Sequence, residues 1–300
     1  MRFSVFQLSR RGARARNEDR MGYCYTREAC LVVLADGMGG HPGGEIAAQI
    51  AVQSMLEQFE AQARPQLADA AAFLAEALLQ AHAQILRHAR AHGLGEAPRT
   101  TLVAALLQQG QAHWIHCGDS RLYLVRGGAL RERTRDHSYR EMAERGHRPL
   151  PKVSRNLLFT CLGAPSPPIF NQAGPWTLAH GDRLLLCSDG LWEPLAEAEL
   201  LAGLGQGPVS LCVPRLVAAA LQRAGASSDN VTAIALEWET PLAQAAPEGL
   251  CTEPLEGDAF RSTLQFDTLA APEDELSEAA IERKIAEINA AIRRPGERRR

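Results

Sequence analysis

Three hundred residues, 46% hydrophobic with a formal charge of −3, describe a globular chain long enough for one sizeable core. That balance gives no basic footprint for nucleic acid, and the three arginines at 298–300 read as a solvated end. Seven scattered cysteines without a Cys-x-x-Cys pair exclude a zinc knuckle or a redox pair; with no apolar run of signal-peptide or membrane-span length, they point to a reduced, cytoplasmic setting.

The first elements read as strands at 3–8, 22–25 and 30–35. The third is continuously apolar, as in a strand buried on both faces, and it stops at Asp36-Gly37 in a glycine-rich stretch. Residues 45–61 read as a helix with apolar positions at 47, 51, 55 and 59, and 68–91 as a second helix with Asp69 near its start. Strands follow at 100–107 and 112–117, the latter ending at Gly118-Asp119. Segments 121–126 and 129–133 flank Gly127-Gly128, a two-residue hairpin turn. A short helix is expected at 138–146 and a basic, proline-containing loop at 147–156. A strand at 184–187 ends at Ser188-Asp189-Gly190, a helix covers 211–225, and a last strand covers 231–238. From 240 the composition turns acidic and proline-rich, which reads as a linker or tail. A helix is expected at 275–294, with Ile281, Ile285, Ile288 and Ile292 on one face. That face either docks on the protein's own surface, frays in solvent or takes a partner helix.

Asp36, Asp119 and Asp189 each close an apolar run, Asp229 opens one, and Glu18-Asp19 precedes another. Residues 31–37 and 184–190 share one shape: apolar strand, small residue, Asp-Gly. Antiparallel strands place the end of one beside the start of the next, so these acids can share an edge. Carboxylates gathered there repel, and an all-oxygen set suits Mg2+ or Mn2+ rather than zinc. Asp-Gly after a strand is also an ordinary turn pair, so spacing alone leaves a metal site and a set of turns evenly matched. The glycines after Asp36 fit neither Gly-x-Gly-x-x-Gly with a following acidic strand nor a Walker A loop, which argues against a nucleotide site.

Taken together, Arg14-x-x-Asn17-Glu18-Asp19, Ala35-Asp36-Gly37-Met38-Gly39-Gly40-His41, Gly118-Asp119-Ser120-Arg121, Asp136-His137-Ser138, Ser188-Asp189-Gly190-Leu191 and Ser228-Asp229-Asn230 resemble the bacterial form of the metal-dependent serine/threonine protein phosphatases, the PPM or type 2C family. The resemblance runs in order from about residue 3 to residue 238. It implies an α+β fold, a four-layer α-β-β-α sandwich with two central antiparallel sheets. The catalytic domain would be 1–239, with 240–300 as a C-terminal tail.

The resemblance also implies roles. Asp36 would bridge two Mn2+ or Mg2+ ions, the Gly37 carbonyl would ligate one, and Asp189 and Asp229 would complete the other. Glu18 would hold water on the Gly37 side, Asp119 a third, weaker ion, and Arg14 the substrate phosphate. The implied reaction is hydrolysis of phosphoserine and phosphothreonine by a metal-bridged hydroxide, opposing a bacterial serine/threonine kinase. Eukaryotic relatives usually carry histidine at the position of Met38, whereas bacterial ones often carry methionine, as here. With methionine there the leaving-group acid is open, between a water on the ion held by Asp119 and His41. Cys161 stands where relatives carry arginine, and the basic 147–156 loop suggests a preference for acidic phosphosites. The competing readings are a catalytically weak phosphatase fold that binds a phosphoprotein, which the complete set of acids argues against, and a phosphatase of small phosphate esters.

Overall fold

A computed structural model describes residues 1–38, 43–144 and 157–240, with the backbone of 261–264. His41, the loop expected at 147–156 and the helix expected at 275–294 lie outside the described residues.

The strands are β1 (Phe3–Arg10), β2 (Arg20–Tyr25), β3 (Ala29–Ala35), β4 (Leu102–Gln108), β5 (Gln111–Cys117), β6 (Arg121–Arg126), β7 (Ala129–Arg133), β8 (Asn171–Thr177), β9 (Arg183–Cys187), β10 (Val231–Trp238) and β11 (Arg261–Leu264). One sheet runs β1-β10-β9-β6-β7 and the other β11-β2-β3-β4-β5-β8, all pairings antiparallel. The helices are α1 (Gly44–Gln62), α2 (Ala70–Ala91), α3 (Tyr139–Glu144), the single turn α4 (Asp189–Trp192), α5 (Glu197–Leu204) and α6 (Val209–Ala224).

The layers follow from side-chain alternation. Every residue of β3 is buried. Leu31, Val33 and Ala35 pack with Ala47, Ala51 and Met55 of α1 and with Leu74 and Leu78 of α2. Cys30, Val32 and Leu34 belong to the core between the sheets, with Leu122, Leu186 and Ile234. The outer face of the other sheet, including Leu185 and Ala233, meets Leu200 of α5 and Val213 and Val217 of α6. A strand buried on both faces has no polar face to alternate, hence its unbroken apolar run. This is the expected α-β-β-α sandwich.

The α1 positions 47, 51, 55 and 59 are all buried, as their spacing requires. At the start of α2 the Asp69 carboxylate accepts from the Ala72 N–H at 2.9 Å, satisfying one of the orphan amides of a helix N-terminus. Gly127 and Gly128 both take positive φ (58° and 77°), as the tight β6–β7 turn demands. The short helix expected at 138–146 forms as α3. Four of these strands and helices were not anticipated: β8, the α4 turn, α5 and β11. β8 contains Gly174-Pro175, shows no alternation and sits at the end of its sheet, while α5 has only eight residues. β11 falls in the stretch expected to be a linker and pairs with β2, Arg261 opposite Tyr25.

Candidate active site

Register fixes where the acids go. Ala35 at the end of β3 faces Arg20 at the start of β2, and Cys117 at the end of β5 faces Leu102 at the start of β4. In the other sheet Cys187 ends β9 opposite both Arg121, which starts β6, and Ala233 near the start of β10. The residues just outside these ends are Asp36, Glu18-Asp19, Asp119, Asp189 and Asp229, and they meet at one edge of the sandwich. A cleft of about 460 Å³ opens there, lined among others by Arg14, Glu18, Asp36, Gly37, Asp119, Asp189 and Asp229. Every sequence-derived candidate except His41, which lies outside the described residues, therefore lines one cleft.

Backbone pairing holds these positions. The Asp36 N–H donates to Thr101 Oγ1 at 3.0 Å, and its carbonyl accepts from the Thr101 N–H and Thr100 Oγ1, both at 2.8 Å. The Gly37 N–H donates to the Glu18 carbonyl at 3.2 Å. A Cβ on Gly37 would stand 2.5 Å from the Gly44 backbone, which excludes a side chain there, and one on Gly44 would push Glu18 Oε2 aside. Asn230 ties the 11–18 loop to the start of β10. Its Oδ1 accepts from the Glu18 N–H at 2.8 Å, and its Nδ2 donates to the carbonyls of Arg11 and Arg16 at 2.7 and 2.9 Å.

The electrostatics are those of crowded acids. Loss of solvation, then the charges of Asp19, Asp189, Asp119 and Asp229, push the Asp36 carboxyl well above the ordinary range. Desolvation and then Asp119 and Asp229 do the same to Asp189. Desolvation and then Asp136 bring Asp119 up to about 7. Glu18 is raised by burial and Glu45, against the pull of Arg14. Asp19, only 3% exposed, lies behind the cleft wall and accepts from Ser188 Oγ at 2.8 Å. Burial raises its pKa too.

Arg14 Nη2 pairs with Asp229 Oδ2 at 2.5 Å at the cleft mouth, while Arg16, also on the cleft lining, pairs with Glu45 at 3.1 Å. Among the described residues no three His, Cys, Asp or Glu side chains converge into a preformed metal cage. The residues nevertheless fit a hard divalent cation. The donors are all oxygen, Glu18 Oε2 and Asp19 Oδ1 are buried without hydrogen-bond partners, and the excess of negative charge calls for a counter-ion. Met38 lines the cleft and carries no exchangeable proton.

Beyond the anticipated residues, the structure brings Thr101 and Asn230 into the cleft lining and Trp192 against the Asp119 carbonyl behind it. Asn230 stood within the Ser-Asp-Asn motif, and Trp192 lies one helical turn after Asp189. The six described cysteines are buried and free, apart from the cleft.

Paired antiparallel sheets between helix layers, with acids gathered along one shared edge, define a PPM-type sandwich. A family model described as protein phosphatase 2C matches residues 7–223. The chain is 33% identical over 230 residues to the serine/threonine protein phosphatase PstP of Mycobacterium tuberculosis, covering 74% of this chain and 42% of that protein. It thus spans less than half the length of that relative. A solved catalytic domain of PstP, in complex with two manganese ions, matches with a TM-score of 0.65 at 30% identity, over 78% of this chain and 97% of that one. The serine/threonine phosphatase Stp1 of Staphylococcus aureus matches with a TM-score of 0.71 at 26% identity, over 80% and 96%. The chain belongs to the protein phosphatase 2C family.

Proposed function

We propose that this cleft hydrolyses phosphoserine and phosphothreonine in proteins, with two Mn2+ or Mg2+ ions as resident cofactors. The observation that carries the reading is the convergence of Glu18, Asp36, Asp119, Asp189 and Asp229 on one cleft with Arg14 at its mouth. The likeness to a manganese-loaded phosphatase domain supports it.

In this reading Asp36, Asp189, Asp229 and the Gly37 carbonyl would hold the two ions, Glu18 would orient water beside Gly37, and Asp119 would serve a third, weaker site. When bound, such ions supply a nucleophilic water near neutral pH and offset charge on the phosphoryl oxygens. Arg14 is half-exposed on a loop and leaves Asp229 to grip two phosphate oxygens with its planar fork. Asn230 and the Gly37–Gly44 contact keep Glu18 and the 11–18 loop in place while this happens. Met38 donates no proton from its side chain; the leaving oxygen would take its proton from water on the Asp119 side, with His41, outside the described residues, as the rival donor. Peptide turnover by Asp119→Ala as fast as wild type would remove Asp119 from that role.

We take 1–239 as the catalytic unit and 240–300 as a tail that adds β11 to its sheet; the helix candidate at 275–294 docks on the protein's own surface, frays in solvent or takes a partner helix. Among the described residues no helix is long and apolar enough to cross a membrane. Buried, free thiols suit a reducing compartment, and we place the enzyme in the cytoplasm, opposing a serine/threonine kinase. The test is Mn2+-dependent dephosphorylation of phosphothreonine peptides. Activity should vanish with EDTA and in Asp36→Asn and Asp189→Asn; turnover that persists under all three would refute the proposal.

A further inference from the structure

We propose that Trp192, Arg121 and Asp136 form a positioning strut that fixes Asp119 beside Asp189 and so sets cation affinity on the Asp119 side of the cleft. The inference rests on reading the cleft as a divalent-cation site. None of the three strut residues lines the cleft itself.

Asp119 and Asp189 stand on separate turns, one between β5 and β6 and one after β9. Of the neighbouring charges, that of Asp119 acts most strongly on Asp189. Carboxylates lining one cleft repel when ionised, and bonds between their turns resist their separation. The brace starts at Asp189. Trp192 ends the helical turn that Asp189 begins, and its Nε1–H donates to the Asp119 carbonyl at 3.0 Å. This bond ties one acidic turn directly to the other.

The indole is in turn clamped. The Arg121 guanidinium carbon lies 3.4 Å from the Trp192 ring centroid, a stacked cation–π contact. Arg121 Nε and Nη2 donate to the two Asp136 oxygens at 2.8 and 2.7 Å, and Nη1 donates to the Tyr123 hydroxyl at 3.2 Å. The pair is largely shielded, with side-chain exposures of 12% and 6%. A bidentate, buried fork of this kind fixes the plane of the guanidinium, and with it the plane of the indole below. The residue after Asp136 reinforces the same point. The His137 N–H donates to the Gly118 carbonyl at 2.9 Å, and the Gly118 N–H donates to His137 Nδ1 at 3.1 Å. Ser120 Oγ meets Thr101 Oγ1 at 2.7 Å on the other side. Asp119 is therefore held by its preceding residue, its following residue and its own carbonyl, and Trp192, alongside the Arg121–Cys187 strand pairing, connects that grip to Asp189.

The test titrates Mn2+ calorimetrically into EDTA-stripped full-length protein: wild type, Trp192→Phe, Arg121→Lys, Asp119→Asn and the double variant Trp192→Phe/Asp119→Asn. Phenylalanine keeps an aromatic face under Arg121 and removes only the N–H bond; lysine keeps the charge and removes the fork. Both single variants should weaken the weakest Mn2+ site about tenfold, the scale of losing a group that orients a ligand, while the metal-free unfolding midpoint of Trp192→Phe stays near wild type. In the Asp119→Asn background Trp192→Phe should add nothing. Wild-type isotherms for Trp192→Phe and Arg121→Lys would overturn the strut, as would an equal loss with and without Asp119. Wild-type protein that binds no Mn2+ would instead overturn the reading of the cleft itself.

Discussion

Replacing Asn230 with alanine tests how the 11–18 loop is held over the cleft. The side chain is 5% exposed and makes three hydrogen bonds, to the Glu18 amide and to the carbonyls of Arg11 and Arg16. A buried group left without its partner costs about 1–3 kcal/mol. The two carbonyls belong to exposed residues and regain water, whereas the Glu18 amide is partly enclosed. The sum is roughly 2–4 kcal/mol, most of it from Glu18. For a chain of this size that lowers the melting temperature by roughly 5–15 °C. Urea and thermal unfolding in EDTA, followed by circular dichroism, measure it without cation linkage. Peptide turnover should fall as well, because Arg14 and Glu18 lie on the loosened loop. Asn230→Asp should be worse, since it loses both donor bonds and adds a carboxylate to the cluster. An alanine variant within about 0.5 kcal/mol of wild type would refute the idea that Asn230 anchors the loop.

Three further outcomes follow from the same geometry. Gly44→Ala places a methyl against Glu18 Oε2, so Mn2+ affinity should fall despite the better helix propensity of alanine; an unchanged Mn2+ titration would count against Glu18 as a cation-side group. Asp119 is raised from 3.8 to about 7, so its folded form holds a proton that the unfolded chain has lost, and metal-free stability is lost as pH rises through 7. The urea stability of Asp119→Asn relative to wild type in EDTA should therefore rise by about 2 kcal/mol between pH 5.5 and 8; the buried histidines, whose pKa values move the other way, cancel in this difference, and a flat difference would contradict the crowding. Arg14→Ala should lower kcat/KM for phosphopeptides by about tenfold or more while Mn2+ binding persists, and unchanged kcat/KM would exclude Arg14 from phosphate binding.

The strands and the acids that end them were legible in the sequence directly, whereas the sandwich and the metal reading came with the family resemblance. β3 and β9 are buried strands that end abruptly at Asp36 and Asp189, and an apolar run followed by an acid is a pattern the chain displays directly. The antiparallel register then brings Glu18, Asp119 and Asp229 to the same edge, as strand direction requires. What stayed hidden has no periodic signature. β8 carries a glycine and a proline in an exposed outer strand. α5 is two turns long. Trp192 reads as an ordinary apolar residue until its N–H is seen to reach Asp119 across the fold. Asp19 looks like a second copy of Glu18 in the sequence, yet one lines the cleft and the other is sealed behind it on Ser188.

The central claim is that the cleft at this edge holds divalent cations on Asp36, Asp189 and Asp229. Crystals grown with MnCl2 and measured at the manganese absorption edge address it most directly. The account predicts two strong anomalous peaks flanking Asp36, one toward Gly37 and one toward Asp189 and Asp229, and their loss in Asp36→Asn. A cleft without anomalous density at saturating Mn2+, or peaks that persist unchanged in Asp36→Asn, would contradict it.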